Sequence, residues 1–180
     1  MIYRILIIGG PSSGKTTLIE ELKQEGFNVL EEYSRQLIQK SLKEGSDVLP
    51  WVNVEAFNRE IYAGRKQQYL DAIKGINFYD RGMHDGRAYL KLNGIPIPEK
   101  LDAKNKEYTY SNPVFYLPFW EEIYTTDDER KESKEQAIKL GKFIKEVYEE
   151  LGYKIVEVPK DSVENRIQFI KNTLKSEGLL

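Results

Sequence analysis

Residues 9–16 read GGPSSGKT, and the pattern G-x-x-x-x-G-K-[ST] falls on Gly9, Gly14, Lys15 and Thr16. Glycines let a backbone curl tightly enough for several N–H groups to meet one anion. A helix beginning near Gly14 adds its free N–H groups and the positive end of its dipole. Lys15 would then reach the β- and γ-phosphates of a nucleoside triphosphate, and the Thr16 hydroxyl would ligate Mg²⁺. The span Gly9, Gly10, Pro11, Ser12, Ser13, Gly14, Lys15, Thr16 and Thr17 is therefore expected to hold the nucleotide. Lys15 is expected to stand exposed in the ligand-free protein.

The pattern carries weight only with a strand before it and a helix after it. Both are readable. "IYRILII" is β-branched and apolar, and too short for a stable independent helix. "KTTLIEELKQ" sets Leu18, Ile19 and Leu22 at helical spacing, and Gly26 offers a helix stop.

The rest of the chain alternates in the same way. "FNVL", "INFYD", "PVFYLP" and "YKIVEVP" read as short buried strands. Between and after them, 33–45, 54–75, 81–90, 132–152 and 162–178 read as helices, the last capped by Asp161 or Ser162. Strands alternating with helices imply an α/β fold, a five-stranded parallel sheet with helices on both faces. The 180 residues predict one domain, 1–180, with an irregular stretch at 118–131.

In such a sheet a ligand sits at the carboxyl ends of the strands, so residues just past each strand are the candidates. After the second strand come Glu32 and Arg35, three apart on one face of a starting helix. After the third come Asp80, Arg81 and Asp85, and after the fourth the segment containing Arg130. After the fifth comes "PKDS", with Pro159 and Lys160. Asp80 closes a buried strand, the usual place for a partner of nucleotide Mg²⁺, although it could instead cap the helix at 81–90. Arg81 can clamp a phosphate or form a surface ion pair. His84 reads as a structural or solvent-exposed residue, and Phe119, Trp120 and Tyr124 as packing groups.

Composition excludes several chemistries. There is no cysteine and one histidine, so thiolate chemistry and multi-histidine metal sites are out. A net charge of −2 gives no global basic field for nucleic acid or anionic lipid. The apolar start is too short to span a membrane, so a cytoplasmic protein, monomer or homodimer, is expected.

The chain resembles the bacterial predicted-ATPase family of AAA-type P-loop proteins. That family is similar to the ribosylnicotinamide kinase domain and, more distantly, to nucleoside and nucleotide kinases. The likeness runs through "GGPSSGKTTL", "LEEYSRQLI", "LPWVNVEAF", "FYDRGMHDGRAYL", "VFYLPFWEEIYTTDDER" and "EELGYKIVEVPKDSVENRIQFI". His84 departs from it, standing where a small residue or proline is expected. The resemblance implies a P-loop three-layer sandwich of nucleotide-kinase type. It implies that Lys15, Thr16 and Asp80 hold MgATP. Glu32 would lie near the acceptor hydroxyl, and Arg81 would face the transferring phosphoryl; Arg35 and Asp85, by their places after the second and third strands, are expected in the acceptor site. Arg130 would belong to a lid at 118–131, and Pro159 and Lys160 would border the base. Lys160 and Asp161 are adjacent, which lacks the spacing of guanine-specific switches and favours adenine. The leading expectation is a kinase that phosphorylates a nucleoside-like or other metabolite. A regulatory nucleotide switch and a binding module without turnover are the alternatives.

Overall fold

Strand β1 (Ile2–Ile8) shows why the sheet must be covered twice. Ile5 and Ile7 point into one apolar layer, Leu6 and Ile8 into another, and all four are fully buried. A strand with apolar residues on both faces needs cover on both. Helix α1 (Lys15–Gln24) supplies Leu18, Ile19 and Leu22 to the first layer, and α7 (Val163–Ser176) supplies Ile167, Ile170 and Leu174. On the other face, α6 (Lys134–Glu150) packs Leu140, Ile144, Val147 and Tyr148 against Leu6 and Ile8. Ser133 and Gln136 close a capping box at the start of α6, each satisfying the other's backbone N–H.

The computed structural model describes residues 1–124 and 133–180. The remaining strands are β2 (Asn28–Leu30), β3 (Gly75–Asp80), β4 (Ser111–Tyr116) and β5 (Ile155–Glu157). All pairings are parallel and the order is β2-β3-β1-β4-β5. The chain therefore starts in the middle and fills both sides, which opens a crevice at the carboxyl end of β1. The register aims the strand ends at it. Ile7 lies opposite Asp80, and Leu30 opposite Tyr79, so Glu32 and Arg81 follow their strands at matching heights.

Helices α2 (Tyr33–Glu44), α3 (Val54–Leu70) and α4 (Asp85–Leu92) wall this crevice, and α5 (Glu99–Lys106) follows α4 in the chain. Two helix boundaries and one whole helix differ from the sequence expectations. The third helix stops at Leu70, and Gly75 opens β3 instead of closing the helix. The helix expected at 81–90 starts only at Asp85, because Arg81 adopts a left-handed φ of 74° that no helix continues through. Helix α5 is polar, with no apolar stripe, and its existence was not read from the pattern. No helix among the described residues is long and apolar enough to cross a membrane.

Candidate active site

The loop after β1 is held open from outside. Gly14 has φ 74°, and a Cβ there would sit 2.6 Å from an Arg166 Nη1. At Gly10 a Cβ would sit 2.7 Å from the Ala137 carbonyl oxygen, so α6 approaches the loop as only glycine allows. Arg166, buried in the first turn of α7, donates to the carbonyls of Ser13 (2.8 Å) and Gly14 (3.4 Å) and lies over the Trp120 ring. The Trp120 N–H donates to the Ser12 carbonyl at 2.9 Å. With these carbonyls tied back, the loop can turn its N–H groups to a bound anion. Trp120 thus packs as expected, and Phe119 meets Tyr124 at 5.6 Å between ring centroids.

Lys15 corrects one expectation. It is only 6% exposed, not free in solvent. Its Nζ donates to the Gly10 carbonyl (2.8 Å) and to Ser13 Oγ (3.2 Å). The loop curls round its own ammonium, the compact anion-seeking group of the motif, when no phosphate competes for it. Burial, and then the Arg81 charge, lower its pKa to about 8.

The ends of β2 and β3 converge on one ion cluster. Arg81 Nε donates to Glu32 Oε1 at 2.9 Å, and Arg81 Nη1 to Asp85 Oδ2 at 3.3 Å. Ser34 Oγ also donates to Glu32 Oε1, at 2.9 Å. Burial alone would raise the Glu32 carboxyl, but Arg81, Lys15 and Arg35 outweigh it and hold Glu32 well below the usual carboxylate range. Asp85 Oδ1 accepts from the Gly82 N–H (3.1 Å) and the Tyr148 hydroxyl (2.7 Å). Glu32 therefore faces Arg81 across the sheet end, in addition to the neighbouring Arg35 charge that its own helix supplies.

Asp80 is buried, 3% exposed, and its Oδ1 has no hydrogen-bond partner. Burial, and then the Glu32 charge, raise its pKa to about 6. It caps no helix, since α4 starts five residues later with His84 at the cap position. An orphaned carboxylate oxygen beside a phosphate-binding loop is suited to a cation. Thr16, partly exposed at the start of α1, offers the hydroxyl that completes such a site. The residues present fit Mg²⁺ and a triphosphate.

A cleft of about 1010 Å³ joins the loop and the ion cluster, with Asp80 buried behind its lining. Its lining includes Pro11 to Thr17, Glu32, Arg35, Arg81 and Asp85, and on α3 Phe57, Tyr62 and Arg65. Pro159 and Lys160 are exposed beyond β5 and are not among the residues lining it. Arg130 and the second half of the expected lid lie outside the described residues; Glu121–Ile123 before them form a 3₁₀ turn. His84 is buried and structural. It packs among Tyr110, Tyr148 and Tyr153, and burial and the Arg87 charge lower its pKa to about 4. Arg65 escaped the sequence reading, and Arg166 entered it only within the quoted motif with no site role, because neither follows a strand. The signal that could have found Arg65 is its spacing from Phe57 and Ile61, which makes it the one charge on an otherwise apolar helical stripe.

A parallel sheet of order β2-β3-β1-β4-β5, with a glycine-rich phosphate-type loop after its central strand, defines a P-loop α/β protein of kinase-like architecture. A family model described as an AAA domain matches residues 4–166, and the chain belongs to that family. Among solved structures it is similar to a deoxyadenosine kinase from M. mycoides with products dCMP and a flexible dCDP bound. That match has TM-score 0.68 and 20% identity, and covers 96% of this chain and 99% of that one. It is similar to NadR in complex with NAD and AMP-PNP (TM-score 0.71, 18% identity, 99% of this chain, 50% of that one). It is also similar to shikimate kinase from Aquifex aeolicus (TM-score 0.56, 16% identity, 98% of each chain). At these identities the likeness is one of fold, and the chain spans half the length of NadR. No curated protein matches the sequence.

Proposed function

We propose that the protein is a small-molecule kinase that transfers the γ-phosphoryl group of ATP to an acceptor bound against α2 and α3. The observation that carries this reading is Glu32. Its carboxylate is kept ionised by Arg81 inside a cleft that also contains the glycine-rich loop. A nucleotide switch has no use for a negative charge there, because it repels the triphosphate. A kinase uses one to orient the acceptor hydroxyl or to take its proton as the phosphoryl arrives.

In this reading Gly9 to Thr17 bind the phosphates, and Lys15 leaves the Gly10 carbonyl to meet them. Thr16 and Asp80 hold Mg²⁺, which neutralises phosphate charge when bound. Arg81, braced by Asp85, faces the transferring group, and Arg35 takes part in acceptor binding. Arg130 would close over the phosphates from the lid, and Pro159 and Lys160 would border an adenine. Fold neighbours named as kinases of deoxyadenosine, shikimate and thymidylate support the reaction class. The test is a screen of metabolite pools for ATP-dependent phosphorylation by the purified protein. Consumption of ATP at the same slow rate with every pool would instead favour the switch.

A further inference from the structure

The proposed reaction leaves the buried cation of α3, Arg65, without a task. Arg65 is 6% exposed and lines the cleft, and its Nη1 has no hydrogen-bond partner. A guanidinium does not give up its proton, so it cannot neutralise itself as a buried lysine can. Holding it in the interior with a donor left unpaired is costly. The carboxylates of the cleft are already engaged: Glu32 and Asp85 both accept from Arg81. The Arg65 charge reaches Asp80, but Asp80 Oδ1 is itself without a partner. The two orphaned atoms therefore do not satisfy each other, and Asp80 is the group suited to the metal.

The approach to Arg65 is apolar. Phe57, Ile61 and Arg65 recur every four residues on α3, and Tyr62 lies beside them on the cleft wall. A ligand entering along this stripe meets an aromatic and aliphatic surface first and a buried guanidinium last. From this arrangement we infer that the acceptor is an anion: a flat or apolar body lies along Phe57 and Tyr62, and its phosphate or carboxylate is gripped by Arg65. A cationic acceptor would add a like charge beside Arg65 and Arg81. A neutral one would leave Arg65 Nη1 buried and unpaired. The inference rests on the kinase reading only for the word acceptor; the anion site itself does not require turnover.

The test separates the two. The full chain is first saturated with a non-hydrolysable ATP analogue and Mg²⁺, so that the glycine-rich loop cannot take the probe. Phenyl phosphate, benzoate and benzyl alcohol are then titrated calorimetrically. Phenyl phosphate or benzoate should bind at least about tenfold more tightly than benzyl alcohol, the loss expected for one charge-assisted hydrogen bond. Whichever of the two anions binds better identifies the group. Arg65→Gln should abolish this preference, and Arg65→Lys should restore part of it. Equal binding of benzyl alcohol overturns the inference, and so does an undiminished preference in folded Arg65→Gln. The wild-type series needs no variant, so a misfolded mutant leaves the result readable. Anion binding without any phosphorylated acceptor would keep this site and sink the kinase reading. Phosphorylation of neutral acceptors in preference to their anionic counterparts would do the reverse.

Discussion

The glycine-rich loop and the α3 wall meet in one cleft, but their charged groups are satisfied to different degrees. The charged group of the loop and several of its carbonyls are satisfied without a ligand, although Ser12 Oγ is buried with no partner. Lys15 bonds Gly10 and Ser13, and Arg166 bonds the Ser13 and Gly14 carbonyls. The wall and the strand ends beneath it are not. Asp80 Oδ1 and Arg65 Nη1 are buried and unpaired. Ligand binding to the loop must therefore exchange one set of hydrogen bonds for another. Ligand and metal binding at the wall would supply partners that the folded protein lacks. Substitutions should divide accordingly: those in the loop cost binding, and those at the unpaired groups trade function against stability.

The largest effect should come from Glu32→Gln. In the proposed kinase it removes the group that takes the acceptor proton, and turnover should fall by about 10²–10⁴, the range for a lost general base. Affinity for MgATP should change little. A mutant that loses ATP binding as well would assign Glu32 to the nucleotide half of the cleft and erase the division. Lys15→Ala comes next. It should weaken ATP binding about a hundredfold, the upper range for a hydrogen bond between charged groups, and circular dichroism should show an intact fold. The wild type supplies its own control by pH. Ligand-free Lys15 loses its proton near pH 8, and phosphates require it charged. Wild-type affinity should therefore decline as pH rises above that value, while Lys15→Ala affinity should not follow it.

Asp80→Asn sharpens the comparison because its sign is unusual. The folded pKa is about 6, raised from an ordinary 3.8. A raised carboxyl contributes stability below its unfolded pKa and loses it as pH rises through the folded one. At neutral pH the ionised Asp80 is thus a burden on the ligand-free protein. The asparagine variant should be more stable by roughly 1–3 kcal/mol, the scale of a shift of this size. The gain should shrink as pH falls from about 6 and vanish below about 4. The same variant should lose the Mg²⁺ enhancement of nucleotide binding. Thermal melts across pH and titrations with and without Mg²⁺ measure both halves. A destabilised variant that keeps its Mg²⁺ enhancement would make Asp80 a structural acid.

The two regions also differ in how far the sequence reveals them. The loop is eight consecutive residues, and the strand and helix flanking it are local patterns, so both were readable. Alternation of strands and helices carried the sheet, and its helices fell near their expected places. The wall depends on topology. Glu32 and Arg81 are neighbours only because Leu30 pairs with Tyr79 in the sheet. Arg35, three residues from Glu32, was the partner visible in sequence. Asp85 looked like an acceptor ligand because it follows a strand; in the fold it also braces Arg81 through Tyr148, 63 residues away. The burial of Lys15 was missed because a loop's carbonyls, unlike its side chains, leave no trace in composition. Helix α5 was missed because it has no apolar stripe to betray it.

Tyr148→Phe should give the smallest effect, and it tests whether the wall is braced from below. Tyr148 is fully buried on α6, and its hydroxyl donates to Asp85 Oδ1 at 2.7 Å. Burial and the Asp85 charge raise its pKa well above the ordinary value, so the hydroxyl keeps its proton and remains a donor. It reaches Asp85 because residue 82 is glycine, where a Cβ would sit 2.4 Å from the Tyr148 Oη. Phenylalanine keeps the ring packing and removes one donor. Asp85 keeps the Gly82 N–H and Arg81, so the fold survives, but a buried carboxylate oxygen loses one bond, at a cost of about 1–3 kcal/mol. Arg81, which leans on the other oxygen of Asp85, should then sample orientations away from the transferring phosphoryl. The expected outcome is a kcat lowered about tenfold with KM for ATP and acceptor nearly unchanged, since Tyr148 does not line the cleft. A purely packing role would lower the melting temperature and leave kcat alone. An equal loss in kcat and in ATP affinity would mean that α6 acts through Gly10 and the loop instead, and the two halves of the cleft would not be separately supported.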